Sequence, residues 1–113
     1  MSRDVGFYLE IILEAINKIQ SYTAGLSFEA FSRETMIQDA VAANLYMIGE
    51  AIRRIPESFR EKYKEVKWEK LVEVQDHLLR EYYDLNSEFL WGVIRDRLPL
   101  LKRAVEELLH IKA

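Results

Sequence analysis

Apolar residues recur at helical spacing along nearly the whole chain, and strand-like alternation of useful length is absent. Val5, Leu9, Ile12, Ile16 and Ile19 predict a first long helix, which Tyr22-Thr23-Ala24-Gly25 ends with a glycine suited to a left-handed position. Ser27 is placed to cap a short apolar turn from Phe28 to Phe31. A second long helix is expected from about Glu34 to Ile55, with Ile37, Val41, Leu45, Ile48, Ile52 and Ile55 as its stripe. Beside that stripe runs a second row, Met36, Ala40, Ala43, Met47 and Ala51. Two rows imply burial on more than one side, against another helix of the fold or of a second subunit. Asn44 lies near the first stripe and needs a hydrogen-bond partner if buried.

Pro56 stops this helix, because it lacks an N–H and pushes Ile55 out of helical geometry. Exposed turns are expected from Glu57 to Tyr63. Leu71, Val74, Leu78 and Tyr82 then mark a third long helix that opens at Trp68 and reaches Leu79 to Tyr83. Asn86 caps the last helix, whose apolar face is Phe89, Leu90, Val93, Ile94, Leu98, Leu101, Val105 and Leu108. Pro99 falls inside that pattern and should kink the helix or restart it near Arg97. Four main helices with short extra turns predict an all-α, antiparallel up-and-down bundle, one domain over residues 1–113.

Composition narrows the chemistry. Half of the residues are hydrophobic and 31% are charged, the balance of a globular domain. No apolar run approaches the roughly 20 residues of a membrane span, and MSRDVGFYLE has no uninterrupted apolar stretch of the secretory kind. With no cysteine, disulfides and thiolate metal sites are excluded, which fits a cytoplasmic location. A net charge of −3 gives no global attraction to nucleic acid, so an RNA ligand would need a local basic patch. The most basic stretch carries Arg53, Arg54, Arg60, Lys62, Lys64 and Lys67, interleaved with acids, and reads as a solvated surface or a phosphate-contacting rim. His77 and His110 form no recognisable metal cluster with carboxylates, and no cofactor motif or glycine-rich phosphate loop is present. Tyr46, Tyr63, Tyr82, Tyr83, Trp68 and Trp91 offer stacking surfaces for bases, although aromatics in a small bundle are more often core.

Several stretches, in order, resemble the HepT-like branch of the HEPN superfamily: YLEIILEAI (Tyr8–Ile16), QDAVAANLYMIGEAIRR (Gln38–Arg54), VKWEKLVEVQDHLLREYYDL (Val66–Leu85), and FLW followed by LPLLK (Phe89–Lys102). The resemblance implies a small dimeric helical bundle. It also implies pairing with a minimal nucleotidyltransferase of the MNT type as toxin and antitoxin, and metal-independent RNA cleavage. The family's motif is an arginine, four to six residues, a histidine, then one residue and a tyrosine. Family members commonly read Arg-Asp-His-Leu-Ile-His-Glu-Tyr where this chain reads Gln75-Asp76-His77-Leu78-Leu79-Arg80-Glu81-Tyr82. Gln75 therefore stands at the arginine position and Arg80 at the histidine position. Asp76 keeps the polar residue after the arginine, and Tyr82 keeps the tyrosine that the partner transferase can adenylylate.

These substitutions bear directly on the expected reaction. Cleavage needs the ribose 2′-OH deprotonated, the phosphorane charge stabilised and the leaving oxygen protonated. Histidine suits the proton transfers, whereas arginine clamps phosphate but does not release its proton usefully. Gln75 brings a hydrogen-bond donor without charge. Arg80 and Asp76 remain candidate substrate contacts, and His77 is the one residue that can substitute as proton shuttle, since it shares a helical face with Arg80. Against this stands the plainer possibility that Glu73, His77, Arg80 and Asp84 form a solvated charge ladder. Two functions remain open: a ribonuclease toxin with weakened or lost cleavage, and a non-catalytic helical partner of the nucleotidyltransferase.

Overall fold

The computed structural model describes residues 3–81 and 86–112, and all regular structure among them is helical. Seven α-helices follow one another: α1 (Arg3–Thr23), α2 (Phe28–Ser32), α3 (Thr35–Arg54), α4 (Glu57–Lys62), α5 (Trp68–Arg80), α6 (Ser87–Gly92) and α7 (Leu98–Lys112). A 3₁₀ turn, Lys64–Val66, precedes α5, and a π-helical turn, Val93–Arg97, joins α6 to α7. The long helices form an antiparallel bundle in which α3 lies between α1 and α5, while α7 closes against α1.

The predicted punctuation is realised in atomic detail. The α1 stripe is buried in full, and Gly25 after it takes φ 76°, the left-handed value that glycine tolerates. Ser27 is extended and its hydroxyl accepts the Ala30 N–H at 3.1 Å. The buried Gln38 amide donates to the Phe31 carbonyl at 2.8 Å and fixes the short α2 on α3. Asn44 donates to the Ala40 carbonyl one turn back at 2.9 Å, so its amide is satisfied within its own helix. Ile55 is extended ahead of Pro56, and α3 ends at Arg54. Asn86 accepts the Phe89 N–H at 3.1 Å and starts α6. Trp68 is buried, with its indole N–H on the Tyr63 carbonyl at 3.1 Å. Trp91 packs its ring against Phe31 at 5.1 Å. Of the sequence-selected aromatics, these two belong to the packing, as does the partly buried Tyr63, whose ring lies 4.8 Å from that of Phe59.

Pro99 restarts the helix. Without a proline N–H the carbonyl four residues back cannot be served, and the chain widens into the π turn just before it, where the Leu98 N–H reaches the Val93 carbonyl. Leu98, Leu101, Val105 and Leu108 stay on the buried face because the irregular turn re-phases the helix. The third long helix is shorter than its longest expected extent: α5 ends at Arg80 with the Glu81 N–H on the His77 carbonyl. Tyr82, Tyr83 and Asp84 lie outside the described residues.

Within the single chain the second row of α3 is not buried as a unit: Ala51 is inside, but Met36 is 83% and Met47 52% exposed, and Ala43 is exposed with them, which leaves the second-subunit alternative for this row. The second buried side of α3 is made instead at Gly49, which faces α5. A Cβ built there would lie 2.6 Å from the Gln75 Cβ, so the glycine is what allows the two helices to approach this closely. Alanine is intrinsically better in a helix by about 1 kcal/mol. Here the collision overrides that gain, because a Cβ cannot swing aside without moving α5. Gly49→Ala is expected to lower unfolding free energy by about 1–2 kcal/mol net, read from urea denaturation of the two proteins.

Candidate functional site

The close approach at Gly49 buries Gln75 to 1% exposure in the middle of α5. A buried amide must be satisfied, and this one is fully so. Its Nε2 donates to the Tyr46 carbonyl at 3.2 Å and to Glu50 Oε1 at 3.3 Å. Its Oε1 accepts from Arg53 Nε at 2.6 Å. The partners fix the amide orientation, since carbonyl and carboxylate oxygens can only accept and the guanidinium can only donate.

Arg53 extends the network across the helix pair. It lies four residues after Gly49, on the same face of α3, and its Nη2 meets Asp76 Oδ1 at 2.7 Å. Both side chains of that pair are nearly half exposed, 43% and 46%. Glu50 uses its other oxygen on Arg54, at 3.4 Å. A continuous polar chain therefore runs Arg54, Glu50, Gln75, Arg53, Asp76, buried at its centre and open at its ends. Arg53 spends Nε and Nη2 on α5, and its Nη1 has no partner among the described residues.

The sequence-selected residues separate around this chain. Gln75 and Asp76 are brought together by Arg53. Gln75 does not present its amide to a ligand, contrary to the expectation that it keeps a usable donor: both donor contacts are internal. Arg80 is exposed, one turn beyond Asp76 and about 40° around the helix from it, and makes no ion pair among the described residues. His77 points elsewhere. It lies about 200° around α5 from Gln75, and its ring stacks on Phe89 of α6 with centroids 4.1 Å apart. Glu73 is exposed and forms no ion pair with His77 or Arg80. Tyr82, the expected modification site, lies outside the described residues.

The basic connection divides as well. Arg60 is structural: Nε donates to the Ile55 carbonyl at 3.1 Å, and Nη1 pairs with Glu69 at 2.8 Å. Lys64, Lys67 and Lys70 line a groove of about 520 Å³ together with Glu57, Glu61 and Glu69, so its charges are mixed. Only Arg53 and Arg54 of that stretch reach the Gln75 network. Among the described residues no group of three or more His, Asp or Glu side chains is arranged to hold a metal. The network offers cationic hydrogen-bond donors and two carboxylates, and no imidazole within it. It is equipped to hold an anion more than to move a proton.

Glu50 and Gly49 were not singled out from sequence, and Arg53 was named only as one charge of a possible phosphate-contacting rim. Gly49 leaves one trace there, a glycine in the interior of a strongly periodic helix, where it costs about 1 kcal/mol unless packing requires it.

Comparison with known proteins adds the chemistry of relatives. The family described as Ribonuclease HepT-like matches residues 12–108. A Methanocaldococcus jannaschii protein named as gamma-glutamylcyclotransferase and putative RNase is 39% identical over 98% of this chain; the chain spans 49% of its length. A Caldanaerobacter subterraneus protein named as a putative RNase is 34% identical over 91% of this chain and 92% of its own length. A Thermococcus cleftensis protein named as a probable ribonuclease HepT is 34% identical over 96% of this chain and 98% of its own. No solved structure matches.

Proposed function

The chain belongs to the HepT-like ribonuclease family, and from that premise we propose that it is an RNA-binding, HepT-type toxin whose cleavage chemistry is strongly attenuated. The observation that carries this reading is the state of position 75. An arginine there would bring charge to the motif; the glutamine is buried, uncharged and saturated by internal hydrogen bonds. At the other motif position Arg80 offers a phosphate contact and no proton transfer at neutral pH. Loss of a positioned acid–base group costs about a hundredfold to ten-thousandfold in rate. His77, held against Phe89 on another side of α5, does not lie with the Gln75 network. Asp76 contributes by holding Arg53 at the exposed end of that network.

The active form in this proposal is a homodimer. Met36, Ala43 and Met47 expose an apolar row on α3, with the half-exposed Tyr46 and, on α5, Leu79 (55% exposed). An uncovered face of this kind suits a second copy of the chain, and it borders Glu50 and Gln75, so pairing would bring two networks to one cleft. The proposed setting, with an RNA target and a nucleotidyltransferase partner of the MNT type, is the cytoplasm.

A second reading is favoured by a specific feature of sequence: Tyr82 is kept while the histidine before it is lost. In that reading the chain is a non-catalytic helical partner of the transferase, and Tyr82 adenylylation regulates binding and not cleavage.

Three outcomes are expected. Arg80→His, which returns a proton-transferring group and leaves the buried Gln75 in place, raises the rate of RNA cleavage about a hundredfold or more over the parent, measured on labelled tRNA without metal; a parent that already cleaves tRNA at that raised rate overturns attenuation. Met47→Asp shifts the protein from dimer to monomer in light scattering, and an unchanged mass removes this face as the interface. Incubation with ATP and a purified nucleotidyltransferase of the MNT type is expected to add one adenylate to Tyr82 in peptide mass spectra, and its absence while the transferase turns over sinks the partner reading.

A further inference from the structure

The cation missing from position 75 is supplied, in this chain, by the neighbouring helix. Arg53 sits directly over the Gln75 amide, with Nε on Oε1 at 2.6 Å, and Asp76 takes Nη2 at 2.7 Å. Two acceptors on consecutive residues of α5 thus hold the guanidinium by one edge. That leaves Nη1 without a partner among the described residues, on a side chain that is 43% exposed. The pairing depends on the glutamine: an arginine at position 75 would set two like charges against each other, whereas the neutral amide oxygen accepts from Arg53. Arg80 stands one turn beyond Asp76, exposed and without an ion pair among the described residues. The other arginines near this end of α3 are committed differently, Arg54 to Glu50 and Arg60 to Glu69 and the Ile55 carbonyl.

We propose that Arg53, held in place by Gln75 and Asp76, forms with Arg80 a two-arginine clamp for consecutive phosphates of an RNA backbone. The inference rests on the RNA-binding reading above and names the residue that makes it possible in a chain of net charge −3. A guanidinium fixed along one edge loses little further freedom when its other edge engages a phosphate. Asp76 offsets part of the charge, and its role is positional: it holds the fork at an α5 position one turn before Arg80 and about 40° around the helix from it. The clamp requires no proton transfer, so it is compatible with the loss of the motif histidine.

The test uses the full chain and a fluorescein-labelled single-stranded RNA of mixed sequence, with anisotropy titrations at several salt concentrations. Arg53→Ala is expected to weaken binding about tenfold or more and to reduce the slope of log affinity against log salt by about 0.7, the value for one lost contact to a single strand. Arg53→Lys should keep the slope and recover part of the affinity, because charge is retained and the fork is not. Because Arg53→Ala also strips a hydrogen bond from a buried amide, a second measurement is made on the parent protein. Saturating RNA should protect Arg53 and Arg80 from an arginine-selective dicarbonyl reagent, scored by peptide mass spectrometry. Arg53 modified at the same rate with and without RNA overturns the clamp, as does unchanged affinity and slope in a folded Arg53→Ala protein. Either result leaves the RNA-binding reading standing. Failure of the parent to bind RNA at all overturns both.

Discussion

The contact between Gly49 and Gln75 is the constraint from which the rest of this molecule's polar architecture follows. Helices ordinarily pack with axes about 8–10 Å apart, a separation set by the side chains between them. Removing the side chain on α3 lets α5 seat a glutamine where an apolar residue would be expected, and places its amide below the surface. Burial then imposes a demand: an unpaired amide there would cost about 1–3 kcal/mol for each group left unsatisfied. Tyr46, Glu50 and Arg53 meet that demand from three consecutive positions along one face of α3. The geometry of the helix surface makes this possible, since residues three and four apart are neighbours.

A network built this way has an inside and an outside with different energetic roles. At the centre, the Gln75 amide specifies how α3 and α5 register against each other. At the rim, the Arg53–Asp76 and Glu50–Arg54 pairs are too exposed to add much, since exposed ion pairs contribute about 0–1 kcal/mol. Their value is directional. A guanidinium that a buried acceptor anchors on one side and a carboxylate anchors on the next position is held at the surface with little rotational freedom. Within this single side chain the Nε of Arg53 serves the buried amide, while its Nη1 has no partner among the described residues.

The helices and their ends were legible in the sequence because they depend on local chemistry. Gly25, Ser27, Pro56, Asn86 and Pro99 each act within a few residues of themselves, and each has the expected effect. The α3 face was less legible. Two apolar rows at helical spacing do not say which is covered, and the answer, Ala51 inside with Met36 and Met47 outside, depends on where α1 and α5 dock. The candidate site was legible by position and not by connection. Gln75, Asp76 and Arg80 were identified from the motif, but the link to Arg53 spans 22 residues of chain and two turns of direction. Periodicity carries no information about such a pairing. Arg53 looked like one more charge in a basic connection, and His77 looked like a neighbour of Arg80. Helical spacing already sets His77 about 200° around α5 from Gln75, and the placement of α6, which brings Phe89 to the imidazole, gives that side of α5 its own contact.

Proton transfer and phosphate binding place different demands on the residues of a nuclease frame. Proton transfer needs a group whose protonation changes near neutral pH, held within hydrogen-bond reach of the reacting oxygens, and few side chains satisfy both conditions. Phosphate binding asks only for permanent positive charge with donors in roughly the right place, and several positions on adjacent helices can meet it. With Arg80 at the motif's histidine position, that position meets the second condition and not the first. Replacing the motif arginine by Gln75 removes a charge from α5, yet the same amide oxygen secures Arg53 from α3. Under the proposed function phosphate recognition would be shared across the helix pair, whereas the network holds no imidazole among the described residues to take over acid–base chemistry. That asymmetry makes loss of cleavage with retention of binding the expected path for this arrangement of residues.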